Sequence, residues 1–169
     1  MIRYAIDRCN LGWVLAGADN NGLCTIELGD DPDSLHSALE IRFPDAILAP
    51  ATDDLDGMLP KVVRFIDAPQ QSGLDLPLSV EGTGFQKRVW EALQTIPPGE
   101  TVSYAELARQ VGNPKAIRAV AGACAANRLA VVIPCHRVVR SDGNLSGYRW
   151  GIDRKRALLE REAAPIAAA

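Results

Sequence analysis

The chain has 169 residues, 47% of them hydrophobic and 23% charged, enough for one ordinary domain or two small ones around a real core. No apolar run approaches the ~20 residues of a membrane span. The N-terminus also lacks a signal peptide's basic-then-apolar order, so a soluble, cytoplasmic protein is expected. Cys9, Cys24, Cys124 and Cys135 include no CxxC pair, which argues for reduced thiols over a disulfide scaffold. The net charge of -3 hides a split. Residues 1–80 carry 5 Lys/Arg against 13 Asp/Glu, whereas residues 81–169 carry 13 against 8. A nucleic-acid surface on the second half would produce that asymmetry. Basic residues complementing helix ends would too, and Arg154, Lys155 and Arg156 fit that reading.

Apolar runs at Ile2–Ile6, Gly12–Ala18 and Leu23–Leu28 predict strands, and Asp19-Asn20-Asn21-Gly22 predicts a hairpin between the last two. Gly29 to Asp33 ends the sheet and offers helix caps. One helix is expected from about Ser34 to Arg42, a second from about Asp54 to Asp67, and a further strand from Asp75 to Val80. Residues 1–80 thus read as a small α/β structural subdomain with no chemistry of its own.

Residues 81–169 read as mostly helical. Thr83 or Gly84 caps a helix to about Thr95 that buries Phe85, Val89, Trp90 and Leu93, and Ile96-Pro97-Pro98-Gly99 stops it. Ser103, with Glu106 three residues on, has capping-box spacing for a helix from Tyr104 to Val111. Pro114 opens the next, about Lys115 to Ala126. Two short helices joined by Gly112-Asn113-Pro114 resemble a helix-turn-helix. The second is rich in small residues, which suits close approach of another body or plain helix packing equally.

Ile133-Pro134-Cys135-His136-Arg137-Val138-Val139 sets a cysteine beside a histidine between two β-prone apolar runs. A thiolate is the reactive form of cysteine, and a neighbouring base or cation lowers its pKa. From these residues alone, a nucleophile with its base and a buried cysteine beside a chance histidine both stand.

The wider pattern goes further. Pro134 to Val139 with Ser146-Gly147-Tyr148, Gly82 to Gln86 with Val89-Trp90, Ile96 to Tyr104, Ala116 to Val120 and Ala125 to Asn127 together resemble the O6-alkylguanine-DNA alkyltransferases. The resemblance runs from about Arg3 to Ala163 and is greatest to the C-terminal half of the adaptive-response (Ada-type) members. It implies stoichiometric transfer of an alkyl group from O6-alkylguanine, and from O4-alkylthymine, in double-stranded DNA to Cys135. A base inside a duplex is out of reach, so the nucleotide has to be flipped out.

By the same resemblance, His136 is the base, acting through a bridging water, and Glu162 orients it; Glu160 is the competitor on the same predicted helix. Tyr104 donates toward the guanine ring, and Asn127 holds the cysteine loop. Arg118 fills the gap left by the flipped base, with Ala119, Ala123, Tyr104, Lys115 and Arg128 on the DNA, in its minor groove. Val138, Ser146, Gly147, Tyr148 and Trp90 form the substrate pocket, while Arg149 departs from the small polar residue of some relatives. Some members bind zinc in the N-terminal half. Here Cys9 and Cys24 have only His36 and His136 to join them, so no metal is expected, and no cofactor.

The expected partner is DNA and the expected state a monomer in the cytoplasm, on the nucleoid when bound. An Ada-type N-terminal regulatory domain is a further partner if the chain is an excised fragment. Rival readings are a lesion-binding relative that transfers nothing, though such relatives lack the acceptor cysteine, a cysteine hydrolase, and a transcriptional regulator.

Overall fold

The computed structural model describes residues 1–68 and 74–163. Residues 69–73 and the tail 164–169, the latter read above as frayed helix, lie outside them. Two compact units are present: Met1–Val80 with Arg128–Ala130, and Glu81–Asn127 continued from Val131. A single cut at residue 80 does not anticipate the short return of Arg128–Ala130 to the first unit.

The first unit holds a four-stranded sheet in the order β3-β2-β1-β4, formed by β1 (Ile2–Cys9), β2 (Gly12–Asp19), β3 (Gly22–Gly29) and β4 (Leu48–Pro50). The first three strands are antiparallel, and β4 runs parallel to β1. Asn20-Asn21 form the predicted hairpin turn, where Asp19 Oδ1 accepts the Asn21 amide at 2.8 Å. Helix α1 (Pro32–Arg42) is capped by Asp31, whose side chain accepts the Ser34 amide, with proline in the first turn. It sets Leu35 and Leu39 against Leu15, and Tyr4, Ile6, Trp13, Phe43 and Leu48 close around them. Each fully buried leucine contributes roughly 1.5–3 kcal/mol.

Two expectations in this unit fail for local reasons. Asp75–Val80 is not a strand: Pro77 has no amide to give a ladder, and contact with β3 reduces to one bridge, Leu23 to Leu78. The second helix, α2 (Met58–Asp67), starts four residues late, because Asp54, Leu55, Asp56 and Gly57 all have positive φ.

The second unit contains α3 (Gly84–Gln94), β5 (Val102–Ser103), α4 (Tyr104–Gln110), α5 (Ile117–Ala125), a 3-10 turn (Cys135–Arg137), β6 (Val138–Val139) and α6 (Ile152–Ala163). Thr83 caps α3 in a reciprocal box with Gln86. Val89, Trp90 and Leu93 are buried as expected, whereas Phe85 is only half-buried. Ser103 caps α4 through the Glu106 amide. The next helix begins at Ile117 and not Lys115, since residues 111–116 are spent on turns closed by Asn113 N–H to Ala108 O and Ala116 N–H to Asn113 O. Residues 131–133, a β-prone apolar run, form a turn with Val131 at φ 68°.

Candidate active site

Parallel pairing of β5 with β6 builds the site. Val102 pairs with Val138 and Ser103 with Val139. Ser103 caps the helix that Tyr104 begins, and β6 directly follows Cys135-His136-Arg137, so one register delivers the phenol and the thiol to the same place. They line a cavity of about 400 Å³ together with Ala121, Cys124, Ala125, Ser146, Gly147, Tyr148 and Arg149.

Cys135 is 6% exposed. Burial pushes its thiol pKa up, opposed by the Asn127 hydrogen bond and by the positive charges of Lys155 and Arg149. Asn127 is fully buried; its side-chain N–H groups reach Ile133 O at 2.8 Å and Cys135 Sγ at 3.3 Å. This one amide therefore ties the end of α5 to the turn that carries the thiol.

His136 is fully enclosed, with Nε2 2.8 Å from Glu162 Oε1. Burial lowers the imidazole pKa, and Glu162 opposes it. A carboxylate can only accept, so the neutral ring carries its hydrogen on Nε2 and leaves Nδ1 as a base. Nδ1 is buried without a protein hydrogen-bond partner. For Glu162, burial works upward, but hydrogen bonds from His136 and Arg137 outweigh it and hold the carboxyl at about 2. Arg137 grips the carboxylate in fork geometry, Nε to Oε2 at 3.0 Å and an Nη to Oε1 at 2.8 Å, and its other Nη donates to Ile96 O at 2.6 Å. Burial also pushes the Tyr104 pKa up, with a Ser146 hydrogen bond opposing, so the phenol keeps its proton at neutral pH.

Five residues expected at the reaction centre, Cys135, His136, Glu162, Tyr104 and Asn127, are thus brought together by contact or by a shared cavity. Ser146, Gly147 and Tyr148 line that cavity as expected. Val138 and Trp90 do not. Val138 is buried in β6, and Trp90 is buried with its indole N–H on Ala123 O at 2.9 Å. Ala123 itself is 2% exposed and faces inward with Val120 and Cys124, so it offers nothing to an external partner. Lys115, Arg118, Ala119, Gly122 and Ala125 are exposed. Arg128 lies with the first unit, its guanidinium 4.9 Å from the Phe43 ring centre.

Sequence reasoning missed Arg137 as the second clamp on Glu162, Cys124 and Ala121 as cavity walls, and Lys155. Lys155, for which complementing a helix end was one of two readings, is fully buried. Helical spacing held the signal, since Lys155, Leu158 and Glu162 share the buried face of α6 while Glu160 is exposed.

A buried thiol sharing a small cavity with a protonated phenol, next in sequence to a neutral imidazole fixed by a clamped carboxylate, is an arrangement suited to a cysteine nucleophile. The DNA-binding-domain model of 6-O-methylguanine DNA methyltransferase matches residues 84–164. The chain is 54% identical over 165 residues to the bifunctional transcriptional activator/DNA repair enzyme Ada of Escherichia coli, covering 96% of this chain and 46% of Ada. It is 36% identical over 161 residues to the methylated-DNA–protein-cysteine methyltransferase of Methanosarcina acetivorans, covering 95% of this chain and 98% of that protein. The crystal structure of Mycobacterium tuberculosis OGT in complex with DNA matches with a TM-score of 0.78 at 35% identity, covering 95% of this chain and 92% of that one. The chain belongs to the methylated-DNA–protein-cysteine methyltransferase family. It spans less than half the length of the Ada protein it matches.

Proposed function

We propose that the chain repairs O6-alkylguanine, and O4-alkylthymine, in double-stranded DNA by moving the alkyl group irreversibly to Cys135. The observation that carries this reading is the shared cavity of Cys135 and Tyr104, backed by the buried His136–Glu162 pair. Cys135 Sγ attacks the alkyl carbon; the S–C bond forms as the bond from carbon to O6 breaks. The thiol proton passes to His136 Nδ1 through a water, and Tyr104 gives a proton to a ring nitrogen of the departing guanine. The proton held by His136 balances the one Tyr104 gave. A thioether has no route back to the thiol here, so each molecule acts once.

DNA contact falls to α4 and α5, read as a helix-turn-helix whose second helix lies in the minor groove. The exposed face Arg118, Ala119, Gly122 and Ala125 supports this, because small side chains admit a narrow groove. Arg118 takes the place of the flipped base, and Lys115 meets phosphate. The DNA complex of the M. tuberculosis relative supports the same partner. The chain acts as a monomer, on cytoplasmic nucleoid DNA, without metal or cofactor. If it is a piece of a longer polypeptide, similarity to Ada points to an Ada-type N-terminal regulatory domain joined to it. Cys135→Ala tests the acceptor: transfer from alkylated duplex disappears while binding to the duplex remains. Retained transfer would move the acceptor to Cys124 and refute the assignment.

A further inference from the structure

Lys155 is the largest fully buried polar side chain of the second unit, and it sits in the first turn of α6. Both facts work against it. Burial disfavours its charge, and the positive end of a helix repels a cation. Its Nζ donates to Val138 O at 2.7 Å, to Leu145 O and to Gly147 O at 3.3 Å. Three carbonyl acceptors require three N–H groups, so the side chain is an ammonium. Val138 begins the strand that directly follows the turn of Cys135, and Gly147 lines the cavity opposite. Ser146 between the tied carbonyls stands at φ 64°, a left-handed conformation that a non-glycine residue holds only when its surroundings fix it.

We propose that Lys155 is a positioning residue of the acceptor site: it ties the Leu145–Gly147 wall to β6 and directs a fixed positive charge at the cavity thiols. This rests on the reading of Cys135 as acceptor. The charge is felt by Cys135, Cys124 and His136. Arg149 also acts on Cys135, Tyr104 feels both thiols, and Arg137 faces His136. A merely structural lysine would stabilise the fold without setting the Cys135 titration midpoint, which separates the two roles.

The test is the pH profile of Cys135 alkylation by iodoacetamide, read by peptide mapping on the full chain. Wild type, Lys155→Arg and Lys155→Gln are compared, each checked for folding by thermal unfolding. Lys155→Gln is expected to raise the Cys135 midpoint by on the order of one pH unit, with Lys155→Arg close to wild type, since an opposite charge near a thiolate shifts it by that much. Methyl transfer from duplex should slow roughly tenfold in Lys155→Gln and recover in Lys155→Arg. A folded Lys155→Gln with the wild-type midpoint, or an arginine variant as raised as the glutamine one, overturns the proposal. If Lys155→Gln does not fold, Lys155→Met takes its place: a Cys135 midpoint raised by about one unit supports the charge role, and a wild-type midpoint, or a rise of about one unit in Lys155→Arg, overturns it. Iodoacetamide needs no DNA. A wild type that takes no methyl from DNA therefore counts against the repair reading alone and leaves the Lys155 profile to be judged separately.

Discussion

His136 Nε2 lies 2.8 Å from Glu162 Oε1, and both side chains are wholly enclosed. The pair joins the turn that carries Cys135 to the last turn of α6, and Arg137 closes the second side of the carboxylate. Removing one charge from such a group leaves another buried without compensation, which costs about 3–5 kcal/mol. Glu162→Gln should therefore lose about 3 kcal/mol in denaturant unfolding, chiefly through Arg137. It should also slow single-turnover transfer by roughly tenfold or more, as the imidazole loses its fixed tautomer. Unchanged stability together with unchanged transfer would show that the clamp is dispensable.

Acid sensitivity follows from the same pair. The folded state holds Glu162 at about 2, below its ordinary 4.5, so its contribution is complete above about 4.5 and is lost as pH falls toward 2. His136 is lowered from 6.5 in the folded state, so the unfolded chain takes up the extra proton below 6.5. Its contribution is likewise present above 6.5 and lost as pH falls. Both signs agree: stability falls on acidification, beginning near 6.5. Urea midpoints measured between pH 8 and pH 5 should decline in wild type and flatten in His136→Asn. A wild-type profile flat across that range would contradict the neutral imidazole.

The outward face of α5 allows a substitution that separates binding from folding. A Cβ on Gly122 would meet nothing within 4 Å. Gly122→Leu should thus keep or raise the melting temperature, because leucine is better than glycine in a helix by roughly 0.8 kcal/mol. If α5 enters the groove as proposed, the same change should abolish duplex binding by filling the space between helix and groove. Fluorescence anisotropy with a labelled duplex reads the second effect, and full binding by a folded Gly122→Leu would remove α5 from the interface. Arg118→Ala, in parallel, should slow repair in duplex more than attack on a free alkylated base.

What could be read from the sequence was whatever neighbouring residues decide. Asp19 to Gly22 form their hairpin, Ser103 caps its helix, and helical register separates the buried Glu162 from the exposed Glu160. Features decided by distant carbonyls and unusual backbone were hidden. Lys155 looked like a surface cation because its three acceptors come from residues 8 to 17 positions away. Val131 and Ser146 carry no residue-type signal for their positive φ, and the run 54–57 delayed α2 past the start expected at about Asp54. Trp90 was assigned to the substrate pocket and Ala123 to the DNA face, but the hydrogen bond from the Trp90 indole to Ala123 O holds both in the interior.

The most direct test of the central claim is intact-mass analysis of the protein after mixing with a duplex carrying one O6-methylguanine, followed by peptide mapping. The expected result is one added methyl per chain, on Cys135, saturating at one equivalent of lesion. An unchanged mass with duplex binding retained would contradict it, leaving a protein that recognises the lesion but does not repair it.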